Sequence, residues 1–128
     1  MMKYLLSKGK YYVGDPAYLI KKNNEGSVFI EKLWDLFYKD MNKFHELVIE
    51  NIKFYATRTE GGDGYFNGIG TDTGVFIIID LDQVKGNSAF KESIVENGCK
   101  IITLKEDTIA EVVDFNLDIK GYLKVETC

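Results

Sequence analysis

The sequence has little of several residues that mark particular classes of protein. Proline occurs once in 128 residues and cysteine twice, so neither a proline-rich linker nor the disulfide framework of a small secreted domain is expected. No apolar run approaches the roughly 20 residues of a membrane-spanning helix, and charge interrupts the N-terminal stretch too early for a signal peptide. These absences predict a single cytoplasmic domain over residues 1–128, in which the thiols of Cys99 and Cys128 are free.

Negative charge modestly outnumbers positive charge. Lys and Arg number 16 against 20 Asp and Glu, which gives a net charge of −4. Because an acidic chain repels phosphate groups, we expect neither nucleic acid nor an anionic membrane as a partner. His45 is the only histidine, and the pattern offers no Ser or Cys nucleophile with a matching base. The sequence therefore favours a protein without catalytic activity, while the enzyme question stays open.

What the sequence does contain is apolar residues with a clear periodicity. Helical spacing over 29–44 predicts one long helix, and a capping pattern predicts a short one over 88–97. Residues 75–79 are all apolar, which predicts a central strand covered on both faces. Alternating apolar and polar residues predict further strands at 3–7, 10–13, 47–59, 99–104, 109–115 and 119–125. We therefore predict an α+β fold, with a mainly antiparallel twisted sheet or partly closed barrel, one long packed helix and one short helix.

The most distinctive stretch runs from residue 58 to residue 82. It holds six glycines within the 14 positions 61–74, followed by the most apolar run of the chain. Glycine accepts positive φ without steric cost, so the glycines at 61–64 and the pair Asn67-Gly68 predict turns. A phosphate-binding loop would need a Gly-Lys-Ser/Thr ending and a following helix, and both are missing from the pattern. The stretch therefore predicts a strand–turn–strand arrangement, with any functional surface on the polar rim of the turn.

Several aspartates stand at turns, where two interpretations compete. Asp15 precedes the only proline and is therefore biased towards extended backbone, from which its carboxylate can accept turn N–H groups. Asp80 and Asp82 end the apolar run on the same side of the predicted strand. We favour turn caps for these residues. The alternative is an acid–base or metal-binding site, for which a carboxylate pair could come from Asp15, Glu60, Asp63, Asp80 and Asp82. Whether Asp15, Asp63, Asp80 and Asp82 converge is left open by the sequence.

Two short motifs share one pattern, in which a Gly-Asp turn comes shortly before a tyrosine. They read Gly-Asp-Pro-Ala-Tyr at 14–18 and Gly-Asp-Gly-Tyr at 62–65, and Asp-Thr-Gly-Val follows at 72–75. In order and spacing these motifs resemble those of a loose group of short, largely uncharacterised bacterial and phage proteins. The resemblance is specific in the two motifs and implies a β-rich C-terminal part, without implying an activity. Ala17 stands where the group often has cysteine, so thiol chemistry at that corner is not expected here.

Together these features give one leading hypothesis. The chain is expected to be a small cytoplasmic, bacterial or phage-encoded binding or accessory protein, such as an inhibitor, that contacts a protein or a small ligand. The alternatives are a carboxylate-based, metal-dependent hydrolase and a structural module that self-associates through a sheet edge. No cofactor is expected. Since Tyr and Arg are favoured interface anchors, the binding residues we predict are Asp15, Tyr18, Arg58, Glu60, Asp63, Tyr65, Asn67 and Asp72.

Overall fold

The computed structural model describes residues 2–39 and 45–127. Within these ranges the chain forms eleven strands, two α-helices and a 3-10 turn at Pro16–Tyr18. The helices are α1 (Asn24–Phe37) and α2 (Leu81–Val84). The strands are β1 (Met2–Leu6), β2 (Gly9–Gly14), β3 (His45–Ile49), β4 (Ile52–Arg58), β5 (Gly64–Phe66), β6 (Ile69–Thr71), β7 (Val75–Asp80), β8 (Lys100–Leu104), β9 (Thr108–Val113), β10 (Asn116–Ile119) and β11 (Leu123–Val125).

A five-stranded antiparallel sheet with the order β3-β4-β7-β2-β8 forms the middle layer. Its central strand, β7, is buried at five of its six positions. Because successive side chains of a strand point to opposite faces, Val75, Ile77 and Ile79 enter one core. Phe76 and Ile78 enter the other. This confirms the prediction of a central strand that is covered on both faces.

The two faces of this sheet are covered by different layers. Helix α1 packs on one face, where the Phe29 ring centroid lies 5.9 Å from that of Phe54 and 4.9 Å from that of Phe90. A four-stranded antiparallel sheet with the order β1-β9-β10-β11 covers the other face. A hairpin of β5 and β6 adds Phe66 and Ile69 to this second core. The molecule is therefore built as helix, sheet and sheet.

The α+β class and the mainly antiparallel sheets are confirmed, whereas the partly closed barrel is wrong. The larger sheets are open, ending at β3 and β8 in one and at β1 and β11 in the other. The reason is that the predicted C-terminal meander is divided between sheets. Strand β8 pairs with β2 in the middle layer, while β9, β10 and β11 join β1 in the outer one.

The long helix is present with different bounds. It begins at Asn24, five residues before the predicted start, because the side chain of Asn23 accepts a hydrogen bond from the N–H of Gly26 at 2.7 Å. It ends at Phe37, and the predicted continuation over 40–44 lies outside the described residues. Among the helices described, none is both long and apolar enough to cross a membrane.

The predicted second helix over 88–97 is wrong. The short helix lies at Leu81–Val84, where the carboxylate of Asp80 accepts a hydrogen bond from the N–H of Asp82 at 2.9 Å. Residues 88–97 instead form turns, in which Phe90 makes an isolated antiparallel bridge with Ile20. Burial of Phe90 against the core therefore sets the course of this segment.

Two runs predicted as single strands are each divided by a turn. The run at 47–59 is the hairpin of β3 and β4, joined by Glu50 and Asn51 with φ of 52° and 66°. The run at 119–125 is divided between β10 and β11. The preceding reversal lies at Asp114 and Phe115, with φ of 51° and 65°, which places it within the strand predicted at 109–115. Positive φ is uncommon for Glu50 and Phe115, and neither turn contains glycine, so no strong local signal marks these turns.

Two leucines of α1 provide a matched test of this packing. Leu33 is fully buried and Leu36 is 36% exposed. We expect Leu33→Ala to lower the free energy of unfolding by about 2–5 kcal/mol, because it leaves a cavity between helix and sheet. Leu36→Ala should cost about 1 kcal/mol or less. Urea denaturation of both variants measures this difference, and equal losses would contradict the packing described.

Candidate functional site

The carboxylate of Asp15 joins the corner after β2 to the loop before β7. The side chain is fully buried. Its Oδ1 accepts a hydrogen bond from the N–H of Ala17 at 2.7 Å. Its Oδ2 accepts from the hydroxyl of Thr71 at 2.7 Å, the N–H of Asp72 at 2.8 Å, and the N–H and hydroxyl of Thr73, both at 3.0 Å. Asp15 is thus a turn cap and also the anchor of a distant loop. We call these five residues the Asp15 clasp.

The corner itself is shaped by its neighbours in the sequence. Asp15 has φ −66° and ψ 130°, the extended conformation expected before proline, and Pro16 opens the 3-10 turn. A Cβ added at Gly14 would lie 2.9 Å from Cβ of Cys99 and 3.0 Å from the hydroxyl oxygen of Tyr12. That hydroxyl donates to the backbone carbonyl of Asp15 at 2.6 Å. Glycine is therefore required at position 14 for close packing. The residues Gly14, Asp15 and Pro16 of the first motif thus have structural roles at this corner.

The other side of the clasp fixes the entry into β7. The hydroxyl oxygen of Thr71 accepts hydrogen bonds from the N–H groups of Gly74 at 2.9 Å and Val75 at 3.2 Å. Gly74 has φ 76°, and a Cβ there would lie 3.1 Å from Cα of Gly62. Its carbonyl also accepts from the N–H of Thr59 at 2.9 Å. The glycine-rich loop therefore packs directly against the turn that Asp15 holds.

The hairpin of β5 and β6 displays one tyrosine outwards. Tyr65 is 69% exposed, and its ring covers Gly70 on the paired strand, where an added Cβ would lie 3.2 Å from Cδ2 of the ring. On the inner side, Phe66 meets Phe76 edge to face at 6.2 Å. At the tip, the amide oxygen of Asn67 accepts from the N–H of Glu126 at 3.1 Å. The predicted Asn67-Gly68 turn is confirmed, and Asn67 helps to fix the hairpin.

Tyr18 and Asp72 connect the first motif with this region. The hydroxyl of Tyr18 donates to Oδ2 of Asp72 at 2.9 Å. This hydrogen bond, followed by desolvation, raises the pKa of Tyr18 to about 12. The Tyr18 ring also lies beside Gly98, whose carbonyl accepts from the N–H of Gly70 at 2.8 Å. Tyr18, Asp72 and the hairpin therefore meet in one place.

The remaining predicted site residues lie around this centre. Arg58 ends β4 and places its guanidinium carbon 4.7 Å from the centroid of the Phe115 ring, a cation–π contact with the turn between β9 and β10. Glu60 and Asp63 are exposed in the loop between β4 and β5. Asp15 is buried, so it supports the region from below and is out of reach of a partner.

The predicted aspartates serve separate turns. Asp15 caps the first corner, whereas Asp80, at the far end of β7, caps α2. Within residues 2–39 and 45–127, no group of three or more His, Cys, Asp and Glu side chains is arranged to hold a metal ion. Asp15 and Asp80 therefore each hold a turn in place.

Thr71 and Thr73 are the members of the clasp that sequence reasoning missed. The turn at 72–74 is visible in the sequence, but its partner is not, since the Thr71 hydroxyl bonds a carboxylate 56 residues away. A threonine on each side of an aspartate before a buried strand is too common a pattern to identify such a contact.

The accessible part of this region is a small polar and aromatic surface, which we call the rim. It contains two tyrosines and three carboxylates. Its members are Tyr18, Glu60, Asp63, Tyr65 and Asp72.

Comparison of the chain with models of protein families, with curated proteins and with solved structures finds no match.

The clasp gives a direct test. In Asp15→Asn one oxygen and the negative charge are lost, and the new amide faces N–H and O–H donors. Since hydrogen bonds to a buried charge are among the stronger ones, we expect the free energy of unfolding to fall by about 3 kcal/mol or more. Asp63→Asn, an exposed control in the second motif, should change it by about 0.5 kcal/mol or less. Urea denaturation compares the two, and a mild effect of Asp15→Asn would refute the clasp.

The Tyr18–Asp72 hydrogen bond gives a pH-dependent test. The hydrogen bond to Asp72 raises the pKa of the Tyr18 phenol from 10.0 to about 12. The stability that this bond supplies is therefore present below pH 10 and lost as the pH rises through about 12. In Asp72→Asn we expect the pKa of Tyr18 to fall towards 10, as measured by NMR of ¹³Cζ-labelled tyrosine. Asp82→Asn is the control and should leave it unchanged.

Proposed function

We propose that the protein is a non-catalytic binding or accessory protein of bacterial or phage origin that acts in the cytoplasm and binds a protein partner through the rim. The observation that carries the proposal is Tyr65, which is 69% exposed on a short hairpin held from its inner side. Tyrosine supplies a large contact area with few rotatable bonds, so it is favoured at the centre of protein interfaces.

The support beneath the rim favours binding without rearrangement. Packing of Phe66, the Asn67–Glu126 hydrogen bond and the Gly70–Gly98 hydrogen bond each fix the hairpin. The Asp15 clasp fixes the neighbouring loop that carries Asp72. A surface that is ordered before binding loses less conformational entropy when a partner docks.

The charges of the rim indicate the kind of partner. Glu60, Asp63 and Asp72 give this surface three carboxylates beside its tyrosines. Carboxylates at the edge of an interface attract cationic groups and increase the rate of association. We therefore expect the partner to present lysine or arginine next to an apolar contact for Tyr65.

The alternatives have less support. A carboxylate-based hydrolase needs a pair of carboxylates at one cleft, whereas Asp15 is buried with both oxygens engaged and Asp80 caps a helix. Self-association through a sheet edge is tested by sedimentation at low and high concentration. The bacterial or phage origin in this proposal is supported by the resemblance of the motifs at 14–18 and 62–65 to those of bacterial and phage proteins.

Affinity capture with matched tyrosine variants tests the proposed surface. Immobilised wild-type protein and the variants Tyr65→Ala and Tyr38→Ala are exposed to a bacterial lysate, and captured proteins are quantified by mass spectrometry. Tyr38 is the control because it is 50% exposed at the end of α1, on another element. We expect Tyr65→Ala to reduce capture of one specific partner at least tenfold. Tyr38→Ala should capture the partner as the wild type does.

Stability measurements complete this test. The free energy of unfolding of Tyr65→Ala should stay within about 0.5 kcal/mol of the wild type, as for an exposed side chain. Equal capture by all three proteins would refute the rim as a binding surface. A large loss of stability in Tyr65→Ala would instead assign the tyrosine a structural role.

A further inference from the structure

A cavity of about 320 Å³ lies between α1 and the corner that contains Asp15. Its lining includes the apolar side chains of Ile20, Ile30 and Trp34 and the lysines Lys21 and Lys22. Cavities that hold small ligands span about 300–1,000 Å³. Ile20 belongs to the core, and Ile30 and Trp34 pack against it, so the cavity has a firm apolar wall.

The charged groups of the cavity are of one sign. Lys21 and Lys22 line it, and no carboxylate does so among the described residues. Within the described ranges neither ammonium group forms an ion pair. The two lysines make this site locally positive, although the net charge of the chain is −4. An apolar wall beside two lysines is complementary to a ligand that is itself apolar at one end and anionic at the other.

We propose that this cavity binds a small amphipathic anion, an aromatic or aliphatic group that carries a carboxylate. The apolar group lies against Trp34, Ile20 and Ile30, and the carboxylate is held by Lys21 and Lys22. A unit charge within about 4 Å of an opposite charge in water gains roughly fivefold in affinity. The inference stands on this cavity alone and is independent of the function proposed for the rim.

The cavity also adjoins the Asp15 clasp. Ala17 and Thr73, which line it, donate to opposite oxygens of the Asp15 carboxylate. A ligand in the cavity therefore contacts both segments that the clasp joins, together with α1. Since this surface exists only in the folded chain, ligand binding should raise the melting temperature.

The only tryptophan of the chain, Trp34, reports on the cavity. Its single indole N–H signal is followed in ¹H–¹⁵N correlation spectra during titration with phenylacetate, phenylacetamide or 2-phenylethylamine. These probes have the same ring with negative, neutral and positive charge. Ligands of about ten heavy atoms bind weakly, so concentrations up to about 10 mM are used. We expect phenylacetate to shift the Trp34 signal and to bind about fivefold more tightly than the amide, with the amine weakest.

Charge variants distinguish recognition from simple apolar contact. The double variant Lys21→Gln, Lys22→Gln should bind phenylacetate about fivefold more weakly and the amide unchanged. The matched control is Lys85→Gln, Lys91→Gln, which alters a lysine pair on a different cavity and should have no effect. Ala17→Leu fills the cavity and should weaken all three probes, and its amide spectrum verifies that it is folded.

Several results would overturn the proposal. The Trp34 signal could stay fixed with every probe, or the amide or amine could bind as tightly as phenylacetate. Phenylacetate binding could equally persist unchanged in the Lys21, Lys22 double variant. None of these results depends on whether the rim captures a partner. The proposal for the cavity and the proposal for the rim can therefore fail separately.

Discussion

The rest of the structure depends on one buried carboxylate and the groups that bond to it. Burying a charge is costly unless hydrogen bonds replace the lost water, and Asp15 receives five of them. It stands at the end of β2, while the residues that bond to its Oδ2 lead into β7, the neighbouring strand. A single side chain therefore sets the entry into the central strand, the position of Asp72 on the rim and one wall of the cavity beneath α1.

Elements with strong periodicity could be predicted from the sequence, because core burial alone determines them. The all-apolar run of β7 and the stripe of Phe29 and Leu33 on α1 are such elements. Turns are predictable where glycine or proline marks them, as at Asn67-Gly68. They are not predictable where a side chain such as that of Phe115 takes positive φ. The segment at 88–97 has capping residues typical of a helix, yet the bridge from Phe90 to Ile20 overrides them.

The candidate site was predictable as a region, while the roles of its residues were not. Sequence identifies Asp15 as a turn cap, but only the fold brings Thr71 to it. It also cannot separate displayed residues from supporting ones, because both are polar and lie near turns. Thus Tyr65 faces outwards, Asn67 fastens the hairpin tip to the backbone of Glu126, and Arg58 lies against Phe115. The lysine pair beside Trp34 lies outside every motif, so no pattern pointed to it.

The pairing of β1 with β9 has a consequence for how the chain is made. Residues 2–6 find their partner strand only at 108–112. At ribosomal rates of about 5–20 residues per second, the first strand waits roughly 5–20 seconds for it. During that interval all five strands of the middle sheet are synthesised, whereas β9, the strand that pairs with β1, is not. The outer sheet is therefore the last layer that the growing chain can complete.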